Sequence, residues 1–349
     1  MSCGQIAFKQ LGIEVGRYVS YEIDKYAVQV TSHNFPATEQ RDDVFTADFT
    51  EYTGFDWLVG GSPCQHWSIA KGKNRETTAS GVGWQLFSQY VRALHEAQPK
   101  YFLYENNKSM SKEIRATIDE AFGFEATEIN SALVSAQSRR RLYWVGQRNS
   151  DGLYSRVNVS MPLDRGRCLR DILDSDVAWT EKAYALTTRC NGAIISDTLK
   201  RHRHTMVAEP VRIGTISNTL KNQSHDSKQY RVYSPDGKST TLCGQGGGVG
   251  AKTGLYAIPV SPGIQVQPVY EVRGGHICVD NISYPIRLSD GFYIVRKLTV
   301  NECKRLQTVP DWYDMTCISD TQAYKCLGNG WTCEVIMHLI KSVLEESND

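Results

Sequence analysis

Along the first 150 residues the hydrophobic positions switch repeatedly between a period near 3.6 and a period of 2. Ile6, Ala7 and Leu11 share one helical face over 5–11, and Gly12 ends that helix. The stretch 17–23 alternates and is rich in β-formers, with Glu22 and Asp24 at its end, and 25–34 has the pattern of a second helix. Extended pieces are predicted at 43–47, closing on Asp48, and at 55–59, closing on Gly60-Gly61-Ser62-Pro63-Cys64-Gln65. A helix over 83–97 puts Leu86, Tyr90, Val91 and Leu94 on its apolar side, and a short apolar strand at 101–104 ends at Glu105. Helix 111–122 and strands 125–129 and 142–146 complete the run. Strands alternating with helices at this spacing predict an α/β fold, a doubly wound and mostly parallel sheet.

Beyond about residue 150 the pattern changes. Gly, Ser, Thr and Asn become common, and short extended pieces such as 231–233 and 240–242 are separated by turn signals including Pro235-Asp236-Gly237. This predicts a second, smaller, β-containing domain over 151–290. Helical periodicity returns after 295, where Thr299 and Glu302 have capping-box spacing and 332–344 forms a closing helix. Gly246 to Thr253 looks like a phosphate loop, but Ala251 stands where that motif needs Gly, and an extended piece follows in place of a helix.

Composition narrows the class. The 349 residues carry a formal net charge of only +1, so no global basic field announces a partner. The distribution is uneven: 182–241 holds ten Lys or Arg against four Asp or Glu, whereas 1–150 holds sixteen against seventeen. The middle of the chain thus has the local charge of a phosphate-facing surface or of a solvated loop region. Ten scattered cysteines without C-x-x-C spacing or a preceding signal peptide point to reduced thiols rather than a disulfide framework. No apolar run approaches the roughly 20 residues of a membrane span. A soluble intracellular protein is expected.

Cys64 then becomes the residue of interest, since strand ends are where open α/β sheets bind ligands. A lone cysteine is ordinarily a small buried hydrophobe, so partners elsewhere must decide. Glu22 and Asp48, at strand ends, have the chemistry to accept hydrogen bonds from ribose hydroxyls and an adenine amino group.

Ser62-Pro63-Cys64-Gln65, Glu105-Asn106-Asn107, Gln137-Ser138-Arg139-Arg140-Arg141, the segment Arg296-Lys297-Leu298-Thr299 to Arg305-Leu306-Gln307, and Gly328-Asn329-Gly330 occur in this order. Together they resemble the DNA (cytosine-5)-methyltransferases of the bacterial and phage modification type, over nearly the whole chain. The resemblance implies a Rossmann-like domain dependent on S-adenosyl-L-methionine over 1–150, a target-recognition domain over 151–290, and a C-terminal segment over 291–349 that returns to the first domain. It implies that the Cys64 thiolate adds to carbon 6 of cytosine, that Glu105 shares a proton at N3 and the 4-amino group, and that Arg139 and Arg141 orient the flipped nucleotide and neutralise nearby charge. On the cofactor side it points to Met1, Cys3, Gly4, Glu22, Asp48, Phe49, Pro63, Leu86, Asn329 and Trp331, with no metal.

The implied partner is double-stranded DNA, with a cognate restriction endonuclease as a candidate companion. The implied setting is a monomeric, cytoplasmic, nucleoid-associated bacterial enzyme. One motif departs: the family's first strand and its Phe-x-Gly are matched only at their tail, by Met1 to Gly4, so the sheet is expected to lack its central strand and to bind cofactor weakly. Either Met1 is an internal start, or the chain is a damaged, prophage-borne copy. The same chemistry on RNA, and a DNA-binding chain without activity, stay open as alternatives.

Overall fold

The computed structural model describes residues 1–63, 66–68, 74–174, 212–215, 231–233, 255–259, 269–279, 282–285, 290–296 and 298–346. Cys64 and Gln65, the predicted piece 240–242 and the glycine loop 246–253 lie outside them. The chain divides into two compact units, one of Ser2–Asn130, Arg140–Pro162 and Cys333–Asp349, the other of Met1, Ser131–Arg139 and Leu163–Thr332.

In the first unit, α1 (Cys3–Gln10) is followed by β1 (Val19–Tyr21), α2 (Lys25–Asn34), β2 (Glu39–Arg41), β3 (Trp57–Gly60), α3 (Val82–Ala97), β4 (Tyr101–Asn107), α4 (Lys112–Phe122), β5 (Thr127–Asn130), β6 (Arg140–Arg148) and β7 (Tyr154–Arg156). The ends of these helices are written in the sequence. Asp24 accepts the N–H groups of Tyr26 and Ala27 to start α2, Ser111 accepts that of Ile114 to start α4, and Gly123, at a φ of 79°, ends α4. The α/β class holds, with a mixed arrangement of strands. β1 pairs β2 and β3 pairs β4 in parallel, while β6 runs antiparallel to β4, β5 and β7. β1–β2 form one sheet and β3–β4–β6–β5, with β7 added on β6, another.

Aromatic burial holds the second sheet together. Phe102, Tyr104 and Trp144 have no exposed surface and pack with Phe87, Phe122 and Trp67. Each such side chain stabilises the fold by about 1.5–3 kcal/mol. Trp144 donates its indole N–H to Asp119 at 2.8 Å, which removes the cost of burying it.

Two expectations need correction. The strand predicted at 43–47 is a 3-10 turn, Val44–Thr46, started by the Asp43 carboxylate on the N–H of Phe45, and the neighbouring strand lies earlier, at the wholly polar Glu39–Arg41. A short strand whose side chains stay partly in water carries no hydrophobic alternation to detect. The helix Asp320–Asn329 was also not predicted.

In the second unit, β8 (Arg212–Thr215), β9 (Arg231–Tyr233), β10 (Leu255–Pro259), β11 (Val269–Arg273), β12 (His276–Val279), β13 (Ile282–Pro285) and β14 (Gly291–Arg296) form a sheet in the order β13-β12-β11-β14-β10-β9-β8. Then come α5 (Val300–Leu306) and α6 (Asp320–Asn329); α7 (Cys333–Glu346) belongs to the first unit. Thr299 and Glu302 make the expected reciprocal capping box of α5. No helix among the described residues is long and apolar enough to cross a membrane.

Candidate active site

The end of β3 is built by two glycines and a buried polar network. A Cβ on Gly60 would stand 2.9 Å from the Tyr90 ring, and one on Gly61 would stand 2.6 Å from the backbone oxygen of Glu105. Any side chain at these positions would push β3 off α3 and β4. The following residue, Ser62, is held from below: its hydroxyl lies 2.6 Å from the Tyr104 hydroxyl, and Asn106 Nδ2 donates to Ser62 O and Oγ, both at 3.2 Å, and to the Tyr104 hydroxyl at 3.1 Å. Burial pushes the Tyr104 phenol above its ordinary value, so it keeps its proton and its place in the network. Asn107 extends the network by donating to Asn106 Oδ1 and accepting from the Ser109 hydroxyl at 2.7 Å. Pro63 is exposed.

Glu105 and Arg141 meet because of strand register. Glu105 lies opposite Tyr143 and Asn107 opposite Arg141 in the antiparallel β4–β6 pair, so Arg141 is on the Glu105 face, one diagonal away. Its Nε stands 3.0 Å from Glu105 Oε1, and both side chains are about nine-tenths buried, at 12% and 10% exposure. Arg140 points to the opposite face and joins Lys108 on the Glu128 carboxylate. The two-residue period thus separates Arg141 from Arg140.

The cofactor candidates of the first unit divide by what their side chains already do. Cys3 opens α1 and is buried against Cys333, which opens α7; that thiol–thiol hydrogen bond, with burial, pushes Cys333 well above the ordinary thiol range. Gly4 lies where a Cβ would meet the Tyr18 hydroxyl at 2.9 Å. Glu22 Oε1 accepts the N–H of Asp24 at 2.9 Å, and its Oε2 has no hydrogen-bond partner among the described residues. Asp48 Oδ1 accepts the Thr50 hydroxyl at 2.6 Å and N–H at 3.1 Å; those bonds hold the carboxyl below its ordinary value, and Oδ2 has no hydrogen-bond partner among the described residues. Phe49 is buried edge-on to Tyr21, and its N–H donates to Glu96 Oε2 at 3.1 Å. Leu86 is half-buried on α3. Two carboxylates with a spare acceptor oxygen each fit the hydroxyl and amino donors of an adenosyl group.

In the second unit Arg139 is buried and donates from Nη2 to the carbonyls of Gly328 at 3.1 Å and Gly330 at 2.8 Å. Gln307 donates to Leu327 O at 2.6 Å and Gly330 O at 3.1 Å, and accepts from Gln137 at 3.2 Å and the Thr332 hydroxyl at 2.9 Å. These side chains fix the C-terminal end of α6, which carries exposed Asn329 and is followed by half-buried Trp331. Met1 is half-buried. Arg139 therefore serves the Gly328–Gly330 backbone, while Arg141 serves Glu105. Tyr104, Asn106, Gln137 and Gln307 take part in positioning without having been singled out for a role. Asn106, Gln137 and Gln307 lie inside the quoted motifs, and their lack of charge hid the task.

The profile of the family described as C-5 cytosine-specific DNA methylase matches residues 3–345. An orphan methyltransferase of Bacillus phage rho11s, M.Rho11sI, is 28% identical over 297 residues, which are 73% of this chain and 58% of that protein, so the chain spans little more than half of it. M.SPRI, an orphan methyltransferase of Bacillus phage SPR, is 25% identical, with 97% of this chain and 94% of that protein covered. Among solved structures, the Entamoeba histolytica methyltransferase EhMeth superposes with a TM-score of 0.61 at 14% identity over 99% of this chain and 96% of that one, a likeness of fold.

Proposed function

The chain belongs to the C-5 cytosine-specific DNA methylase family, and from that membership we propose that it methylates carbon 5 of a flipped-out cytosine in double-stranded DNA with Cys64 as nucleophile. Carbon 5 of cytosine is a poor nucleophile. Addition of the Cys64 thiolate to carbon 6 turns the ring into an enamine that reacts at carbon 5. As electron density moves into the ring, Glu105 shares a proton at N3 and the 4-amino group, and Arg141 keeps a compensating positive charge beside that carboxyl. Loss of the carbon 5 proton to water and expulsion of the Cys64 sulfur as thiolate, with the shared proton returning to Glu105, restore the aromatic ring and the enzyme. S-adenosylmethionine, when bound, supplies the methyl group that carbon 5 takes. Glu22 would hold its ribose and Asp48 its adenine amino group. Swinging the base out of the duplex costs about a few kcal/mol, which contacts in the pocket offset.

The observation that supports this most is the approach of the Gly61 backbone to Glu105, three residues before Cys64, with Arg141 on the same carboxylate. It brings the stretch that leads to a thiol alongside an acid and a cation, the three chemistries the reaction needs. The test is incubation with labelled S-adenosylmethionine and either duplex DNA of random sequence or bulk RNA. Label is expected in the duplex alone, and Cys64→Ser is expected to lower the rate by about 10³-fold or more. Label confined to RNA, label surviving in the Cys64→Ser protein, or duplex binding without any label would each overturn the proposal.

A further inference from the structure

We infer that Glu76 is a positioning residue for the nucleophile: its carboxylate ties His66, two residues beyond Cys64, to the first turn of α3. The inference rests on the reading of Cys64 as the nucleophile.

Helix α3 starts after Gly81, which has no side chain with which to cap it. One of the unpaired N–H groups of its first turn, that of Gly83, donates instead to Glu76 Oε2 at 3.0 Å. The other oxygen, Oε1, stands 3.1 Å from His66 Nδ1, and the N–H of Glu76 donates to His66 O at 2.9 Å. His66 is thus gripped by ring and main chain at once.

The two glycines fit this carboxylate closely. A Cβ on Gly81 would overlap the Glu76 carboxylate, and one on Gly83 would stand 2.6 Å from Trp67 Nε1 and 2.8 Å from both Glu76 Oε2 and His66 Cβ. The residues flanking Glu76 are fastened independently, by Arg75 Nη1 on Ser109 O at 3.0 Å and by the Ser111 hydroxyl on Thr77 O at 2.6 Å. The His66 and Glu76 side chains are only 16% and 21% exposed, so water competes for the contact less than at an open surface pair.

Consequently the residues on either side of Cys64 in the sequence are held, Ser62 on the Tyr104–Asn106 network and His66 on Glu76. A nucleophile displaced by about 1 Å loses about 10²-fold in rate, so the second fixed point bears on chemistry more than on DNA affinity. Because α3 also carries Leu86, one carboxylate connects the nucleophile's segment with a helix on the proposed cofactor side.

The test compares Glu76→Ala, His66→Ala, the double variant and Glu76→Gln by steady-state kinetics and by hydrogen exchange read by mass spectrometry. Glu76→Ala and His66→Ala should each lower kcat by about tenfold while KM for duplex DNA stays within about twofold. The double variant should be no slower than Glu76→Ala, because both changes break one link. Glu76→Gln should recover most of the rate, since its amide oxygen can accept the Gly83 N–H and its nitrogen can donate to His66 Nδ1. Amides of 65–68 should exchange faster in both alanine variants, and those of the first α3 turn in Glu76→Ala alone. A His66→Ala protein equal to wild type, or exchange raised only in α3, would reduce Glu76 to a helix cap and overturn the inference. If wild type leaves duplex DNA unlabelled, the reading of the activity fails instead, and the exchange data alone decide the link.

Discussion

Gly61 lacks a side chain because the carbonyl of Glu105 occupies the place its Cβ would take, and the neighbouring hydroxyl of Tyr104 shows the same economy. That hydroxyl is at once 2.6 Å from Ser62 Oγ and 3.1 Å from Asn106 Nδ2. Tyr104→Phe leaves the ring in the core but removes the atom that holds Ser62, so stability should fall by about 1 kcal/mol, measured by chemical denaturation. The rate of methyl transfer should fall about three- to tenfold with KM for DNA little changed; an unchanged rate would show that the network serves the fold alone. The apolar remainder of Tyr104 was legible from the pattern of 101–104. Its hydroxyl was not, because a hydrogen bond to a residue 42 positions earlier leaves no local signal.

At the scale of elements, β4 and β6 do most of the positioning. Their register sets Phe102 opposite Gly146, and a Cβ on Gly146 would overlap the Phe102 ring. Gly146→Ala should therefore cost about 1–3 kcal/mol by overpacking, read as a lower denaturation midpoint with an unchanged slope. Because Glu105 and Arg141 lie on the same two strands, the substitution should also lower activity. A fully active, equally stable variant would mean that the pair tolerates a shift in register. Strand β4 was expected at 101–104 and runs on to Asn107. Its last residues are polar but buried, and hydrophobicity cannot reveal a strand whose polar groups find partners inside the protein. The helix over 25–34 was read correctly because its apolar period and Asp24 cap are both local.

For the molecule as a whole, ligand binding and stability are linked. If Glu22 and Asp48 hold the adenosyl group, S-adenosylmethionine at 100 times its Kd adds about 2.7 kcal/mol to the stability of the state that binds it. Thermal denaturation should show a rise in midpoint with wild type and a clearly smaller one with Glu22→Gln at equal ligand. Equal shifts would remove Glu22 from the site. The change from helical periodicity to short strands near residue 150 was visible in the sequence. The resemblance implied a return of the C-terminal segment to the first domain; that Ser131–Arg139 groups with Leu163–Thr332 was not visible, since grouping depends on contacts between distant parts of the chain.

The sequence by itself determined the α/β class, most element positions and the motifs from which the reaction is proposed, because periodicity, caps and short motifs are local properties. Tertiary structure alone decided which arginine serves which partner: strand register puts Arg141 on Glu105, and the Gly328–Gly330 backbone takes Arg139. It also decided that Glu76 reaches both His66 and Gly83, because a carboxylate's partners are set by where the folded backbone brings donors within about 3 Å.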